Sequence, residues 1–193
     1  MASLTLDLKR DIVTTRRVTV AIGIAFFTLA TALGAYVRIP LPGTPVPVTL
    51  QTFFVLLSGA LLGKRPGFAS QALYLALGAA GLPVFQGYSF GIQHLFGPTG
   101  GYLAGFLAAG FLVGYLMEKN SFNKYTALAA FVAGNIIIYS FGATWLLYTC
   151  RMSLPCAVNA GILPFLPAEI FKTALALMIY SGISRRARQI FVP

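Results

Sequence analysis

Six apolar runs, at 18–37, 48–62, 68–85, 101–117, 125–149 and 163–183, divide most of the 193-residue chain between them. Most approach the roughly 20 residues that an α-helix needs to cross the hydrocarbon of a bilayer. Only 9% of residues are charged and 58% are hydrophobic, with a mean hydropathy of +0.81, whereas a soluble domain carries roughly 25% charged residues. No water-soluble fold of this length can hide that much apolar surface, so lipid must act as its solvent. The pattern predicts an all-α polytopic membrane protein: one membrane domain over residues 1–193, with six transmembrane helices preceded by a polar segment at 1–17. The first run exceeds the roughly 7–15 residues of a signal-peptide core and opens a series of similar runs. It therefore reads as a retained helix. The second run is short, so that its helix starts inside a pocket or tilts little.

The breaks carry helix-stopping chemistry. Pro40, Pro42, Pro45 and Pro47 exclude helix between the first two spans. Residues 63–67 read as a tight polar turn, 86–101 as a long glycine-containing loop, and 118–124 as a polar turn. The segment 151–161, with Pro155, has room for a short interfacial helix. With both termini inside, the inner segments hold Lys9, Arg10, Arg16, Arg17, Lys64, Arg65, Lys119, Lys124, Arg185, Arg186 and Arg188. The outer segments hold only Arg38 and Arg151. An excess of basic residues marks the cytoplasmic side, which places both termini in the cytoplasm. Lys172 is the remaining base and lies within the last span.

Several function classes fall away. The net charge of +10 would suggest nucleic acid in a soluble protein, but these bases flank apolar runs and form no aromatic-plus-basic groove. The run 59–65 has three residues between its glycines and no Ser or Thr after Lys64, so it is not a nucleotide-binding phosphate loop. Asp7 and Asp11 both precede the first span, which rules out an intramembrane aspartyl protease. His94 alone supports neither a zinc protease nor a haem pair and reads as a loop residue. Cys150 and Cys156 cannot build a structural metal site. Two independent thiols is the simpler reading of them, a disulfide the alternative. No catalytic constellation is visible, no metal or cofactor is expected, and the chain reads as a non-enzyme.

Three stretches carry candidate binding chemistry. Glu169 and Lys172 open the sixth span at i, i+3 spacing, on one helical face. A charge inside a bilayer costs roughly 2.5–3.5 kcal/mol on insertion scales. The pair therefore either holds a polar ligand in a cavity or snorkels to the outer interface. The stretch 96–102 leads from the long loop into the fourth helix. Its glycines allow backbone N–H groups to approach an anion, although, taken alone, the stretch reads first as an ordinary turn. Thr49, Gln51 and Thr52 place hydrogen-bonding groups at the entry to the second span, for a ligand or for a helix–helix contact. Small residues four apart, including Ala21/Ala25, Gly101/Gly105 and Gly110/Gly114, permit close helix packing.

The motifs at 45–63, 81–85, 97–102 and 164–172 together resemble the BioY family, in the same order and across nearly the whole chain. That resemblance implies a biotin-binding substrate-capture component of an energy-coupling factor (ECF) transporter in the bacterial cytoplasmic membrane. The implied fold has six helices, with biotin held near the outer face under closing loops. The implied partners are a membrane coupling subunit and two cytoplasmic ATPases, with Ala21 and Ala25 matching a docking face on the first helix. A solitary biotin transporter is the alternative. The chain departs from the family pattern in having Glu169 for aspartate, Ser89 for an amide side chain and Leu103 for arginine. Under the resemblance, Glu169 and Lys172 take the ureido head, with Gln51, Thr49 and Ser89 completing the polar set. Phe85, Tyr88 and Tyr102 cover the rings, and the N–H groups of Gly100 and Gly101 take the carboxylate. A competing pose puts the carboxylate on Lys172.

Overall fold

The computed structural model describes residues 2–119 and 123–191, with the side chains of 2–15 and 185–190 left out. Lys9, Arg10, Arg185, Arg186 and Arg188 of the charge tally, Asp7 and Asp11, and residues 120–122 of the predicted turn thus lie outside the described side chains. Helix α1 spans Ala2–Tyr36, so the polar segment ahead of the first apolar run continues the same helix. A proline-rich loop follows. Its ends pair as a two-residue antiparallel bridge, β1 (Arg38–Ile39) with β2 (Val48–Thr49). The Leu50 N–H bonds to the carbonyls of Gly34 and Val37, which ties the loop to the end of α1.

Helix α2 runs over Gln51–Leu62 and α3 over Lys64–Ala79. Residues 64–67, expected as part of a turn, form the first turn of α3. Only Gly63 interrupts the two helices, at φ 90°, a conformation that glycine adopts without Cβ strain. A Cβ there would lie 2.6 Å from Glu118 Oε1. The third helix also stops at Ala79, not at 85, because Gly81 (φ 106°) and Pro83 turn the chain. A short 3₁₀ turn (Gln86–Tyr88) and α4 (Ile92–Leu95) occupy the long loop.

Helices α5 (Gly100–Lys119) and α6 (Lys124–Thr149) follow. The interfacial helix anticipated in 151–161 is α7 (Leu154–Gly161). A 3₁₀ turn over Leu163–Phe165 leads to α8 (Leu166–Phe191), so the helical part of the last span starts later than 163 and ends well beyond 183. Cys150 and Cys156 are both free thiols.

Helix α5 is the hinge of the packing. A Cβ on Gly101 would strike Trp145 of α6, and one on Gly105 would lie 2.9 Å from the Ile138 backbone. A Cβ on Gly110 would lie 3.1 Å from the Gly67 carbonyl oxygen of α3, and one on Gly114 would strike the Lys64 backbone. The small-residue spacing of the sequence is thus used inside this chain. Ala21 and Ala25 differ: they lie on an exposed stripe of α1 with Ile22, Phe26, Leu29 and Leu33.

Four stretches are long and apolar enough to cross a membrane: Arg16–Tyr36, Gly100–Lys119, Lys124–Thr149 and Leu154–Ser184. Exposed Phe111, Ile136, Ile170, Phe171 and Met178 project from them as a lipid-facing surface. Helix α2, with 12 residues, is shorter than a full crossing, but 11 of them are buried. It is the interior helix of the bundle. The chain is a mostly helical, multi-pass membrane protein.

Candidate binding chamber

The first turn of α8 delivers Glu169, and the next delivers Lys172. Each residue is only 5% exposed, and the two form an ion pair. The carboxylate sits near the positive end of the helix dipole, a favourable place for an anion. Lys172 Nζ also donates to the Thr49 carbonyl at 2.8 Å and to Thr52 Oγ1 at 2.6 Å. Thr52 Oγ1 lies 3.0 and 3.1 Å from the two Glu169 oxygens, and Tyr139 of α6 donates to Glu169 Oε1 at 2.8 Å. The pair therefore faces the interior and does not snorkel. Buried charges persist when they are paired and hydrogen-bonded, and both conditions are met here.

A second chain of polar groups enters from α2. Thr49 Oγ1 donates to Gln51 Oε1 at 3.1 Å, and Gln51 Nε2 donates to the Tyr74 hydroxyl at 2.7 Å. Tyr74 in turn donates to the Val84 carbonyl at 3.3 Å. Aromatic rings form the walls. Tyr102 and Tyr139 meet edge to face at 5.9 Å, and Phe165 stacks at a tilt on Tyr139 at 5.8 Å. The Tyr102 hydroxyl is held by the Gly161 carbonyl at 2.7 Å. Together these side chains line a partly open chamber of about 40 Å³, which Val46, Gln86, His94 and Thr99 also line.

The chamber lies at the end of the bundle capped by the 38–50 loop and the 80–99 loop. His94 stacks on Phe85 at 4.8 Å and approaches Thr99 Oγ1 at 3.3 Å. Burial lowers its pKa below the ordinary histidine value, so the ring is neutral at pH 7. At the opposite end stand Lys64, Lys119 and Lys124, each over a tyrosine ring of the kind found at membrane interfaces.

Of the residues singled out from sequence, Thr49, Gln51, Thr52, Tyr102, Glu169 and Lys172 line the chamber. The other five do not. Ser89 turns back to the Gln86 carbonyl at 2.6 Å. Tyr88 is 67% exposed and stacks on Tyr36 at 4.7 Å. Phe85 is fully buried behind the wall, against Tyr74 and His94. The Gly100 N–H is already bonded to the Gly97 carbonyl, and Gly101 packs on Trp145. These two glycines serve helix packing because any Cβ would collide with α6 or with Leu95.

Sequence reasoning missed Tyr139 and Gln86. Tyr139 lies one turn from Asn135 in a largely apolar helix, and Asn135 itself donates to Thr173 of α8 at 3.0 Å. That i, i+4 polar pair was the available signal. Gln86 lines both the chamber and an adjoining cleft that holds Arg38, and its buried Oε1 has no partner among the described residues.

The sequence profile of the BioY family matches residues 6–189. The chain belongs to the BioY family. Its relatives in that family include "Biotin transporter BioY" of Thermotoga maritima, 45% identical over 79% of this chain and 88% of that protein. "Probable biotin transporter BioY" of Pyrococcus horikoshii is 40% identical, over 81% of this chain and 90% of that one. The fold agrees with a crystal structure of the S-component for biotin from an ECF-type ABC transporter. The TM-score is 0.84 at 28% identity, covering 91% of this chain and 96% of the other. BioY proteins form a transporter family, and the chain is not an enzyme.

Proposed function

We propose that this chain captures biotin at the outer face of a bacterial cytoplasmic membrane and serves as the substrate-specific component of an ECF transporter. The observation that carries this reading is the buried Glu169–Lys172 pair, hydrogen-bonded by Thr49, Thr52 and Tyr139 beneath aromatic walls. A ureido group offers one acceptor and two donors. Lys172 donates to its carbonyl, and Glu169 Oε2, which has only Thr52 as partner among the described contacts, accepts from its N–H. Tyr102, Tyr139 and Phe165 flank the fused rings. The valerate tail then runs towards Gln86 and the cleft of Arg38, which replaces the glycine N–H groups as the carboxylate anchor.

The chamber volume of about 40 Å³ holds one or two waters, so the two covering loops part to admit biotin and close over it. Helices α2 and α3 complete six spans within the bundle, with both termini on the basic, cytoplasmic side. The exposed Ala21/Ala25 stripe on α1 supports docking of a membrane coupling subunit, itself driven by two ATPases. In the test, the detergent-purified chain is titrated with biotin, riboflavin and thiamine. Saturable one-to-one binding of biotin alone supports the reading, and no biotin binding refutes it.

A further inference from the structure

At the basic end of the bundle, α1, the α2–α3 junction, α5 and the last residue described in α8 surround a cleft of about 590 Å³. Four cationic side chains line it: Arg16 and Arg17 from α1, and Lys64 and Arg65 from the start of α3. Among the described residues, Glu118 is the one acid there. It is already engaged, pairing with Lys64 Nζ at 3.0 Å and accepting from the Lys64 N–H at 2.9 Å. The cleft thus keeps a surplus of positive charge. Its floor is apolar, built from Val20, Leu62 and Phe191.

Depth fixes what such a cleft can receive. Lys64 and Lys119 both lie over Tyr115, and Lys124 lies over Tyr125, the aromatic and basic belt of a membrane–water interface. The cationic rim therefore stands at headgroup level, and the apolar floor begins at acyl-chain level. Charge and polarity change along the cleft in the same order as along an anionic phospholipid. Basic pockets between transmembrane helices on the cytoplasmic side have this chemistry.

We infer that this cleft is a binding site for one anionic phospholipid of the inner leaflet, its phosphate held by Arg16, Arg17 and Arg65 and its chain laid over Val20, Leu62 and Phe191. The assignment to the inner leaflet rests on the orientation proposed above; the binding itself does not depend on biotin recognition. Arg residues suit the role because the guanidinium fork takes phosphate oxygens in pairs. Rigidity of the rim follows from Gly63 and Gly114, whose lack of side chains locks Lys64 against α5.

The test uses the full chain, delipidated in a neutral detergent. It is titrated with short-chain phosphatidylglycerol, phosphatidylcholine of the same chain length, and inorganic phosphate, with native mass spectrometry and the thermal midpoint as readouts. Phosphatidylglycerol is expected to be retained one to one and to raise the midpoint, whereas the other two are not. The variant Arg16→Gln/Arg17→Gln/Arg65→Gln is expected to weaken that retention at least tenfold while eluting as the same monodisperse species. Equal retention of phosphatidylcholine would show an apolar groove without headgroup recognition. Binding of inorganic phosphate as tightly as the lipid would show a soluble-anion site. Undiminished retention in the triple variant would place the lipid elsewhere. Any of these three overturns the assignment. A chain that retains phosphatidylglycerol yet binds no biotin leaves this site standing and refutes only the transport reading.

Discussion

Replacing Lys172 with methionine keeps an unbranched side chain, one heavy atom shorter, and deletes its charge. In the intact chain the ammonium bonds to the Thr49 carbonyl, Thr52 and Glu169, all within the chamber. After the change Glu169 keeps two neutral donors, Thr52 and Tyr139, and no counter-charge. Removing one partner of a buried ion pair costs about 3–5 kcal/mol. The lower end applies here, because an unfolded chain still in lipid also finds polar partners. Biotin loses in addition a hydrogen bond from a charged donor, about 1.5–3 kcal/mol, which weakens Kd about 10- to 150-fold. The companion variant Lys172→Met/Glu169→Gln removes both charges. It should recover most of the thermal stability and none of the affinity, since a neutral site is tolerable to the fold but lacks the donor. Thermal unfolding in detergent and calorimetric titration with biotin read the two effects separately. Wild-type affinity in Lys172→Met would remove Lys172 from the site. A double variant no more stable than the single one would show that the pair is not coupled through its charges.

Tyr139→Phe deletes one donor to Glu169 without changing shape; the bond is already made in the empty chamber, so folding stability should fall by about 1.5–3 kcal/mol in thermal unfolding, while biotin affinity in the same titration changes by less. Gly142→Ala should be severe for an unrelated reason: its methyl would enter the Tyr102 ring. That ring must leave its Gly161 bond, so affinity should fall more than tenfold although no polar group is lost. His94 predicts a pH dependence. Its folded pKa lies below the ordinary value of 6.5, so the loop packing on Phe85 is fully present above pH 6.5 and is lost as pH falls through the folded pKa. Biotin affinity should decline on acidification and should do so less in His94→Gln. Orientation has a native reporter, since Cys156 is exposed near the chamber end. In Cys150→Ser, a membrane-impermeant maleimide should label Cys156 in intact cells; labelling only after permeabilisation would invert the proposed topology.

Four of the six expected spans were legible because lipid imposes one rule on every helix that faces it, and exposed Ile22, Leu29, Ile136 and Met178 obey that rule. Helix ends were legible where proline or the polar turn at 118–124 stops the chain, but not in the polar runs before 18 and after 183, which α1 and α8 continue through, and not at 64–67. There, Gly63 supplies the whole turn through a single positive φ, and the bases after it are free to be helical. In the site, Glu169 and Lys172 were visible because charge is costly in lipid and therefore conspicuous. Tyr139 was not, since a tyrosine in an apolar run is unremarkable until the helix is placed beside α8. The expectation for Gly100 and Gly101 rested on one of the two uses that glycine has. A backbone can approach a ligand, or it can approach another helix, and here Trp145 and Phe141 occupy that space.

The internal bonds of the chamber bear on how affinity arises. Among the described contacts Lys172 already has three acceptors, and Glu169 Oε1 is crowded by Lys172, Tyr139 and Thr52. An empty site of this kind is stable because both charges are satisfied without ligand. Biotin therefore gains little from the ion pair as such. In the proposed pose its ureido head adds to the free side of Glu169 and exchanges with the Thr49 carbonyl at Lys172. Thr49 stands in β2, next to the loop that covers the chamber. In that pose, exchange at Lys172 loosens the tie between the loop and α8, so the bond from Lys172 to the Thr49 carbonyl is the one that ligand entry has to break.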